Sequence, residues 1–134
     1  MTKILLVEDS KFLRMTTERA LARAGYEVVT AGDGPSALEM TAKHQPHLIL
    51  LDMLLPKMSG PDVLKALKKN PATARIAVVV VTSLSARNAS RLEHDGAFAF
   101  LDKSQMGLDK GCEAFLKIVG DLVRRLGLEV PCGA

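Results

Sequence analysis

The sequence predicts an α/β protein with one doubly wound parallel sheet of five strands and helices on both faces. Five short runs rich in Val, Ile and Leu recur along the chain, and segments with helical periodicity separate them. The runs are predominantly apolar rather than alternating, which is typical of strands buried on both faces. Since right-handed crossovers place the connecting helices on both sides of such a sheet, alternating β and α units favour this architecture. The runs are residues 3–7, 26–31, 47–51, 76–81 and 97–101.

Each connecting segment carries helix signals of its own. The first segment has one apolar face and is predicted to end at Gly25, because glycine favours the end of a helix. Pro35 and Pro61 each follow a glycine, at the first turn of the second and third predicted helices, where proline is well tolerated. The face of the first helix consists of Leu13, Thr17, Ala20, Leu21 and Ala24. The last predicted helix, the fifth, has a stripe of Cys112, Phe115, Leu116, Val119, Leu122, Val123 and Leu126.

The composition is that of one globular domain. The chain has 134 residues, of which 48% are hydrophobic and 25% charged, and its formal net charge of +3 is too small to indicate nucleic-acid binding. No apolar run approaches the roughly 20 residues of a membrane span, so we expect a cytoplasmic protein without membrane contact. Cys112 and Cys132 lack CxxC spacing and are expected to be free thiols. We expect residues 1–126 to form the domain and residues 127–134 a C-terminal tail or the start of a linker.

Polar side chains stand at the ends of four of the five predicted strands. In an open α/β sheet, ligands bind outside the carboxyl ends of the strands, so these groups are expected to converge at one edge. Carboxylates that meet there repel one another and need either raised pKa values or a cation. Oxygen ligands favour a hard ion such as Mg²⁺. The groups are Glu8-Asp9, Asp52, Thr82-Ser83 and Asp102-Lys103.

Four motifs stand in a fixed order along the chain. Their order and spacing resemble those of the receiver domains of two-component response regulators, including the single-domain chemotaxis regulators, over about residues 3–124. The resemblance implies a (βα)5 flavodoxin-like fold with strand order 2-1-3-4-5. The motifs are Ile4-Leu5-Leu6-Val7-Glu8-Asp9-Ser10, Asp52-Met53-Leu54-Leu55-Pro56-Lys57-Met58-Ser59-Gly60, Val81-Thr82-Ser83 and Phe100-Leu101-Asp102-Lys103.

The resemblance implies that Asp52 is a phosphoacceptor. It further implies that Asp9 and Asp52 bind Mg²⁺, or Mn²⁺ in its place, and that Glu8 acts mainly through metal-bound water. The backbone carbonyl of Leu54 would complete the protein ligands. A carboxylate that attacks a phosphorylated histidine needs positive charge near the phosphoryl oxygens, which the metal and the Lys103 ammonium can supply. The implied chemistry is self-phosphorylation and self-dephosphorylation in a signalling domain, not enzymatic turnover.

A conformational switch is also implied by the resemblance. Thr82 would donate its hydroxyl to a phosphoryl oxygen, and Phe100, at the aromatic switch position of the family, would rotate into the vacated space. Ser83 is small and would leave an approach path to Asp52. The readout surface would be residues 84–126, which comprise the fourth helix, the fifth strand and the fifth helix.

The implied partners are proteins. A histidine kinase or a histidine phosphotransfer protein would donate the phosphoryl group, and a downstream target would bind the readout surface, with a phosphorylation-dependent dimer as a further state. On the first helix, Phe12, Met15 and Arg19 point away from the apolar face, which fits a docking surface for the donor. No direct contact with nucleic acid is expected.

One residue departs from the family pattern. Ser104 stands where the family usually has a proline after the lysine, commonly with a cis bond. Since a non-proline cis bond is strongly disfavoured, either the bond between Lys103 and Ser104 is trans and this loop differs, or strain is stored there. The direction of the Lys103 side chain depends on which of the two holds.

Two other functions are open to a chain of this pattern. The segment 32–37 reads Gly-Asp-Gly-Pro-Ser-Ala, which matches a dinucleotide-binding fingerprint, but it follows the second strand rather than the first. Pro35 also removes a backbone donor, and the first strand ends in two acids that would repel a pyrophosphate. An aspartate-nucleophile phosphohydrolase would need a D-x-D pattern, and Leu54 occupies its second position.

The positive charge is concentrated in residues 57–75. That stretch holds five basic residues and one acidic residue, Asp62, so its own net charge is +4, compared with +3 for the whole chain. The rest of the chain is therefore −1. We interpret the stretch as a solvated basic face. The basic residues are Lys57, Lys65, Lys68, Lys69 and Arg75.

Overall fold

The computed structural model describes residues 2–53, 55–82, 96–102 and 113–128, apart from the side chains of Thr82 and Asp102. Five strands form one sheet in the order β2-β1-β3-β4-β5, and every neighbouring pair is parallel. The predicted fold class and strand order are confirmed. The strands are β1 (Lys3–Val7), β2 (Glu27–Ala31), β3 (Leu48–Asp52), β4 (Ala77–Thr82) and β5 (Ala99–Asp102).

Four helices are described. The helices are α1 (Lys11–Arg23), α2 (Gly34–His44), α3 (Gly60–Lys69) and α4 (Glu113–Arg125). Helix α4 is the one that the sequence predicts as its fifth. The predicted fourth helix lies outside the described residues, as do Cys112 and Cys132. None of the described helices is both long and apolar enough to cross a membrane.

The sheet separates two hydrophobic clusters. Along β1 and β3, successive residues point to opposite faces, and both sets are buried because helices cover each face. On one face, Leu6 and Leu50 pack with α1 and α4, which contribute Leu21 and Phe115. On the other face, the packing partners come from α2 and α3, including Ala37, Val63, Leu64 and Leu67. The continuous apolar runs in the sequence reflect this double coverage.

The same capping device starts three helices just beyond the carboxyl ends of strands. Ser10, Asp33 and Ser59 each accept a hydrogen bond from the backbone N–H three residues further on, at 3.4, 2.8 and 3.3 Å. Pro35 and Pro61 occupy the first turns of α2 and α3, as predicted. Short polar loops connect β1 and β2 directly to helix starts, whereas the loop of residues 53–59 after β3 is longer and mostly apolar in sequence. Because Gly60 lies against Asp52, the capping residues still stand along one edge of the sheet.

The observed strands are shifted from the predicted ones at several ends. Four strands begin one or two residues later than the apolar runs, and β3, β4 and β5 end one residue later. At the start of β2, the Tyr26 N–H bonds to the Leu21 carbonyl at 3.2 Å, so Tyr26 belongs to the turn after α1. At the end of β3, Asp52 continues the ladder opposite Val81. Hydropathy misses this last position because the strand ends on a polar residue.

Helix α1 ends as the sequence predicts. Gly25 has a φ of +98°, a left-handed conformation that favours glycine, and its N–H bonds to the Ala22 carbonyl at 3.0 Å. On the predicted inner face, Thr17, Leu21 and Ala24 are buried. The turn redirects the chain into β2, so that α1 lies across the sheet.

Candidate functional site

Three carboxylates meet at the carboxyl edge of the sheet. Glu8 and Asp9 follow β1, and Asp52 ends the adjacent strand β3. One carboxylate oxygen from each residue lies within 4.8 Å of the other two. Glu8 and Asp52 are 6% and 2% exposed, whereas Asp9 is exposed. The parallel sheet thus brings together the three acids that the sequence predicts at this edge.

The donor set fits one hard divalent cation. Carboxylate oxygens bind such ions at about 2.0–2.6 Å, so a single ion can hold oxygens up to roughly 4–5 Å apart. The observed spread of 4.8 Å lies within that reach. Two of the acids are buried beside one another, and a cation would offset the resulting repulsion. Among the described residues, this is the single group of three or more His, Cys, Asp or Glu side chains that could hold an ion.

Hydrogen bonds from the loop between β1 and α1, from β2 and from α1 hold Glu8. The Ser10 backbone N–H donates to Glu8 Oε1 at 3.1 Å, while the Ser10 hydroxyl oxygen caps α1. The Glu8 N–H bonds to the Ala31 carbonyl of β2 at 3.1 Å. Arg14, one turn into α1, donates from Nη1 to the Glu8 carbonyl at 2.9 Å. Two hydrogen bonds to its backbone and one to its side chain therefore hold Glu8 in place.

The loop after Asp52 is packed tightly at a glycine. A Cβ on Gly60 would lie 2.7 Å from the Asp52 carbonyl oxygen and 2.7 Å from Met53 Cα, both backbone atoms. The Gly60 N–H also donates to the Met53 carbonyl at 3.0 Å. Since neither neighbour can rotate away, α3 can start this close to Asp52 with glycine alone at its first position.

An ion pair lies at the rim of the site. Lys57 Nζ lies 3.5 Å from Asp33 Oδ2, which joins the loop after β3 to the loop after β2. Hydrogen bonds from Ser36, with a smaller contribution from the Lys57 charge, hold the pKa of Asp33 below its usual range. Lys57 has a φ of +68°, in the left-handed region. The lysine nearest to Asp52 in sequence is thus engaged with Asp33.

The glycines of the dinucleotide-like segment have local packing roles. A Cβ on Gly32 would lie 2.9 Å from Arg14 Nη1, and one on Gly34 would lie 2.5 Å from Met58 Cβ. Asp33, between them, already accepts the hydrogen bond at the start of α2 that a phosphate would need. Close contacts with Arg14 of α1 and with Met58 before α3 therefore account for both glycines without a nucleotide.

Phe100 lies on the edge strand β5, half-buried. It packs against the small cluster of Met53 and Val80. Met53, the residue after Asp52, is therefore part of the surroundings of Phe100. The backbone of Thr82 lies at the end of β4, paired with Asp102 of β5. The side chain of Thr82 is outside the described part of the chain, and so are Leu54, Ser83, Lys103 and Ser104.

Sequence reasoning missed Arg14, Gly32 and the pair of Asp33 and Lys57. Helical periodicity singles out apolar positions, and a half-buried arginine carries no such signal. Gly32 stood out in the sequence only as part of the nucleotide-like pattern. A polar residue four positions after a helix cap, beside an acidic strand end, is the feature that could have indicated Arg14.

Comparison with known proteins identifies the class. A family model described as the response regulator receiver domain matches residues 4–114. The chain belongs to this family. It shares with the family the sheet order, and its acidic cluster stands at the carboxyl edge of that sheet.

Individual relatives show how far the likeness extends. Response regulator PleD of Caulobacter vibrioides is 42% identical over 103 residues, which are 75% of this chain and 22% of PleD. Polar-differentiation response regulator DivK of Brucella ovis is 32% identical over 123 residues, which are 90% of this chain and 99% of DivK. The chain thus spans about a fifth of PleD but nearly all of DivK.

A solved structure shows the same fold. The Mn²⁺-bound form of response regulator Rcp1 superposes with a TM-score of 0.76 and 29% sequence identity, and the match covers 98% of this chain and 100% of Rcp1.

Proposed function

We propose that this receiver domain accepts a phosphoryl group on Asp52 from a histidine kinase or a histidine phosphotransfer protein in a Mg²⁺-dependent reaction. The observation that carries the proposal is the meeting of Glu8, Asp9 and Asp52 at the carboxyl edge of the sheet, with their oxygens within 4.8 Å of one another. Membership of the receiver-domain family supports it. Receiver domains of response regulators typically interact with histidine kinases and downstream targets.

The metal would be held by the acids and one backbone carbonyl. In this proposal, Asp9 and Asp52 bind Mg²⁺ directly, Glu8 contributes through bound water, and the Leu54 carbonyl completes the protein ligands. The ion would supply positive charge to the phosphoryl oxygens. The donor set favours Mg²⁺ or Mn²⁺, and the similar Rcp1 is known in an Mn²⁺-bound form, which supports binding of a divalent ion.

In the transfer step, a carboxylate oxygen of Asp52 attacks phosphorus, and the bond from phosphorus to the donor histidine nitrogen breaks with its electron pair. The released imidazole then takes up a proton. Lys103 would place its ammonium beside a phosphoryl oxygen, and Thr82 would donate its hydroxyl to another. The small side chain of Ser83 would leave the approach to Asp52 open. The chain would carry out only its own phosphorylation and dephosphorylation.

Phosphorylation would then change the surface at β5. The added charge of about −2 would draw Thr82 toward the site, and Phe100 would move into the space released. Phe100 is suited to this role because it is half-buried and packs against Met53, next to Asp52. The face formed by the predicted fourth helix, β5 and α4 would bind the downstream target or a second phosphorylated copy.

The donor would dock beside α1. Phe12 and Met15 are 75% and 41% exposed, although both are large and apolar, and Arg19 is exposed on the same helix. Exposed apolar groups rimmed by charge are typical of binding surfaces. Helix α1 begins directly after the acidic loop, so a helix seated there can bring its histidine to Asp52.

The test is labelling with acetyl phosphate and Mg²⁺, followed by intact mass. We expect one stable phosphoryl group on the unaltered protein, none on Asp52→Asn, and normal labelling of Asp62→Asn, which changes an exposed acid at the start of α3. Chelation of Mg²⁺ should prevent labelling. Normal labelling of Asp52→Asn would refute the assignment, and multiple turnover would favour a phosphohydrolase.

A further inference from the structure

We propose that Arg14 is a positioning residue of the acidic site, and that Gly32 is required because it leaves room for the Arg14 guanidinium. The inference rests on the proposed function, since it concerns the alignment of Glu8 and Asp9 toward a divalent cation. Neither residue is a metal ligand in the proposal. Arg14 acts through the backbone that carries two of the acids.

The hydrogen bond of Arg14 falls on a particular peptide group. Arg14 Nη1 donates to the carbonyl oxygen of Glu8 at 2.9 Å. That carbonyl belongs to the peptide that joins Glu8 to Asp9, and a peptide group is planar. A hydrogen bond to its oxygen therefore restrains the plane that contains the Cα atoms of both acids. The contact spans six residues and connects the loop to the first turn of α1.

The guanidinium is also confined from the other side. A Cβ built on Gly32 would lie 2.9 Å from Arg14 Nη1 and 3.7 Å from Cζ. Gly32 follows β2, the strand beside β1, so the guanidinium lies between the loops after two neighbouring strands. Gly32 does not have the positive φ that would itself require glycine. Glycine is therefore needed here for space, because a side chain at this position would contact the Arg14 guanidinium.

Charge favours arginine at this position. The guanidinium lies against the backbone of the buried Glu8, in a group of three acids. Its positive charge offsets part of their repulsion while it donates to the carbonyl. A lysine would keep the charge but would present a point-like ammonium in place of the planar group that fits beside Gly32.

The first experiment measures binding of Mn²⁺ alone by titration calorimetry. We expect Arg14→Gln to weaken Mn²⁺ binding by about tenfold, as groups that orient metal ligands typically do. Arg14→Lys should recover part of the loss. Arg23→Gln removes the same charge from an exposed position in the last turn of α1 and should bind Mn²⁺ as the unaltered protein does.

The second experiment uses Gly32→Ala alone and combined with Arg14→Gln. The added methyl group would contact the far end of a flexible side chain, so the protein can fold while the guanidinium is displaced. Gly32→Ala should therefore weaken Mn²⁺ binding by a factor similar to that of Arg14→Gln. The double variant should bind no more weakly than Arg14→Gln, because the methyl group then has nothing to displace.

Metal-free melting separates positioning from stability. We expect Arg14→Gln and Arg23→Gln to melt at similar temperatures without metal, although only the first loses affinity. Unchanged Mn²⁺ affinity in Arg14→Gln, or losses that add in the double variant, would overturn the role of Arg14 while leaving Asp52 labelling intact. If the unaltered protein neither bound Mn²⁺ nor accepted phosphate, the proposed function would fail together with this inference.

Discussion

The carboxyl edge and the amino edge of the sheet, where the parallel strands end and begin, differ in how their polar groups are arranged. At the carboxyl edge, three acids share a small volume, and two of them are buried. At the amino edge, the polar groups are joined in complementary pairs. The Lys3 N–H donates to His47 Nδ1 and the His47 N–H donates to the Lys3 carbonyl, both at 2.9 Å. Lys3 Nζ also donates to the His44 carbonyl at 3.2 Å.

The amino edge contains a cleft of about 330 Å³ that is lined mostly by apolar groups. Nearby, Lys68 Nζ donates to the carbonyls of Ala74 and Ile76 at 3.1 and 2.8 Å, and burial lowers its pKa. The predicted solvated basic face thus includes a lysine that secures the loop before β4. The cleft is lined by Gln45, Pro46, His47, Arg75, Ile76, Ala77, Leu126 and Leu128.

The comparison separates stability from reactivity within one fold. Hydrogen-bonded partners at the amino edge join the strand starts to the loops that precede them. The carboxyl edge concentrates like charge, which a bound cation would offset. Changes at the amino edge should therefore affect unfolding alone, whereas changes at the carboxyl edge should affect metal binding and phosphorylation as well.

The largest expected effect compares one glycine at each edge. Gly60→Ala should lower the free energy of unfolding by about 3 kcal/mol, because its methyl group would overlap the backbone behind Asp52. Gly127→Ala, at the amino edge, should lower the free energy of unfolding by only about 1 kcal/mol. Its methyl group would meet open space, and the cost is that of a φ of +74° for a residue with a side chain. Urea denaturation measures both, and equal losses would contradict the close packing at Gly60.

Added cation should stabilise the carboxyl edge. At a Mg²⁺ concentration about 100 times the Kd, the free energy of unfolding should rise by about 2.7 kcal/mol. Asp9→Asn should lose most of this gain, because it removes a proposed ligand that is exposed and leaves the core unchanged. His47→Gln, at the amino edge, should retain the full gain. Equal gains in the two variants would place the ion elsewhere.

A buried hydrogen bond near the amino edge gives a smaller effect on stability alone. The Thr73 hydroxyl donates to the Leu67 carbonyl at 2.7 Å, and Thr73 is buried. Thr73→Val should lower the free energy of unfolding by about 1 kcal/mol, because that carbonyl loses a partner. Labelling of Asp52 by acetyl phosphate should proceed at the normal rate. A slowed reaction would show that the two edges are coupled.

The smallest effect concerns pH at the rim of the carboxyl edge. Hydrogen bonds from Ser36 lower the pKa of folded Asp33 below its ordinary value of 3.8. The ionised form therefore stabilises the fold above that value, and this contribution is lost as the pH falls through the lower folded-state pKa. Asp33→Asn keeps a capping side chain but cannot titrate.

Denaturation series between about pH 5 and pH 2 compare the two proteins. The unaltered protein should lose more stability than Asp33→Asn over this range. Parallel pH curves would mean that the ionised carboxylate of Asp33 gives α2 no more than the amide of asparagine does.

The sequence predicted much of the fold because local rules and the global fold agree. Buried parallel strands read as apolar runs, and Pro35, Pro61 and Gly25 mark helix ends for reasons of backbone geometry. It also predicted that Glu8, Asp9 and Asp52 would meet, since parallel strands present their carboxyl ends at one edge. The exact strand ends were less accessible, because residues such as Tyr26 and Asp52 are assigned by hydrogen bonds rather than by hydropathy.

By itself, the sequence determined the order of strands and helices and which acids stand at strand ends, because backbone preference and hydropathy are properties of short segments. Tertiary structure alone decided that Arg14 lies between the loops after β1 and β2, that Gly32 and Gly60 leave room for particular atoms, and that Lys57 pairs with Asp33. These contacts join residues that are far apart in the chain or depend on distances of a few tenths of an ångström. No periodic pattern in the sequence indicates these contacts.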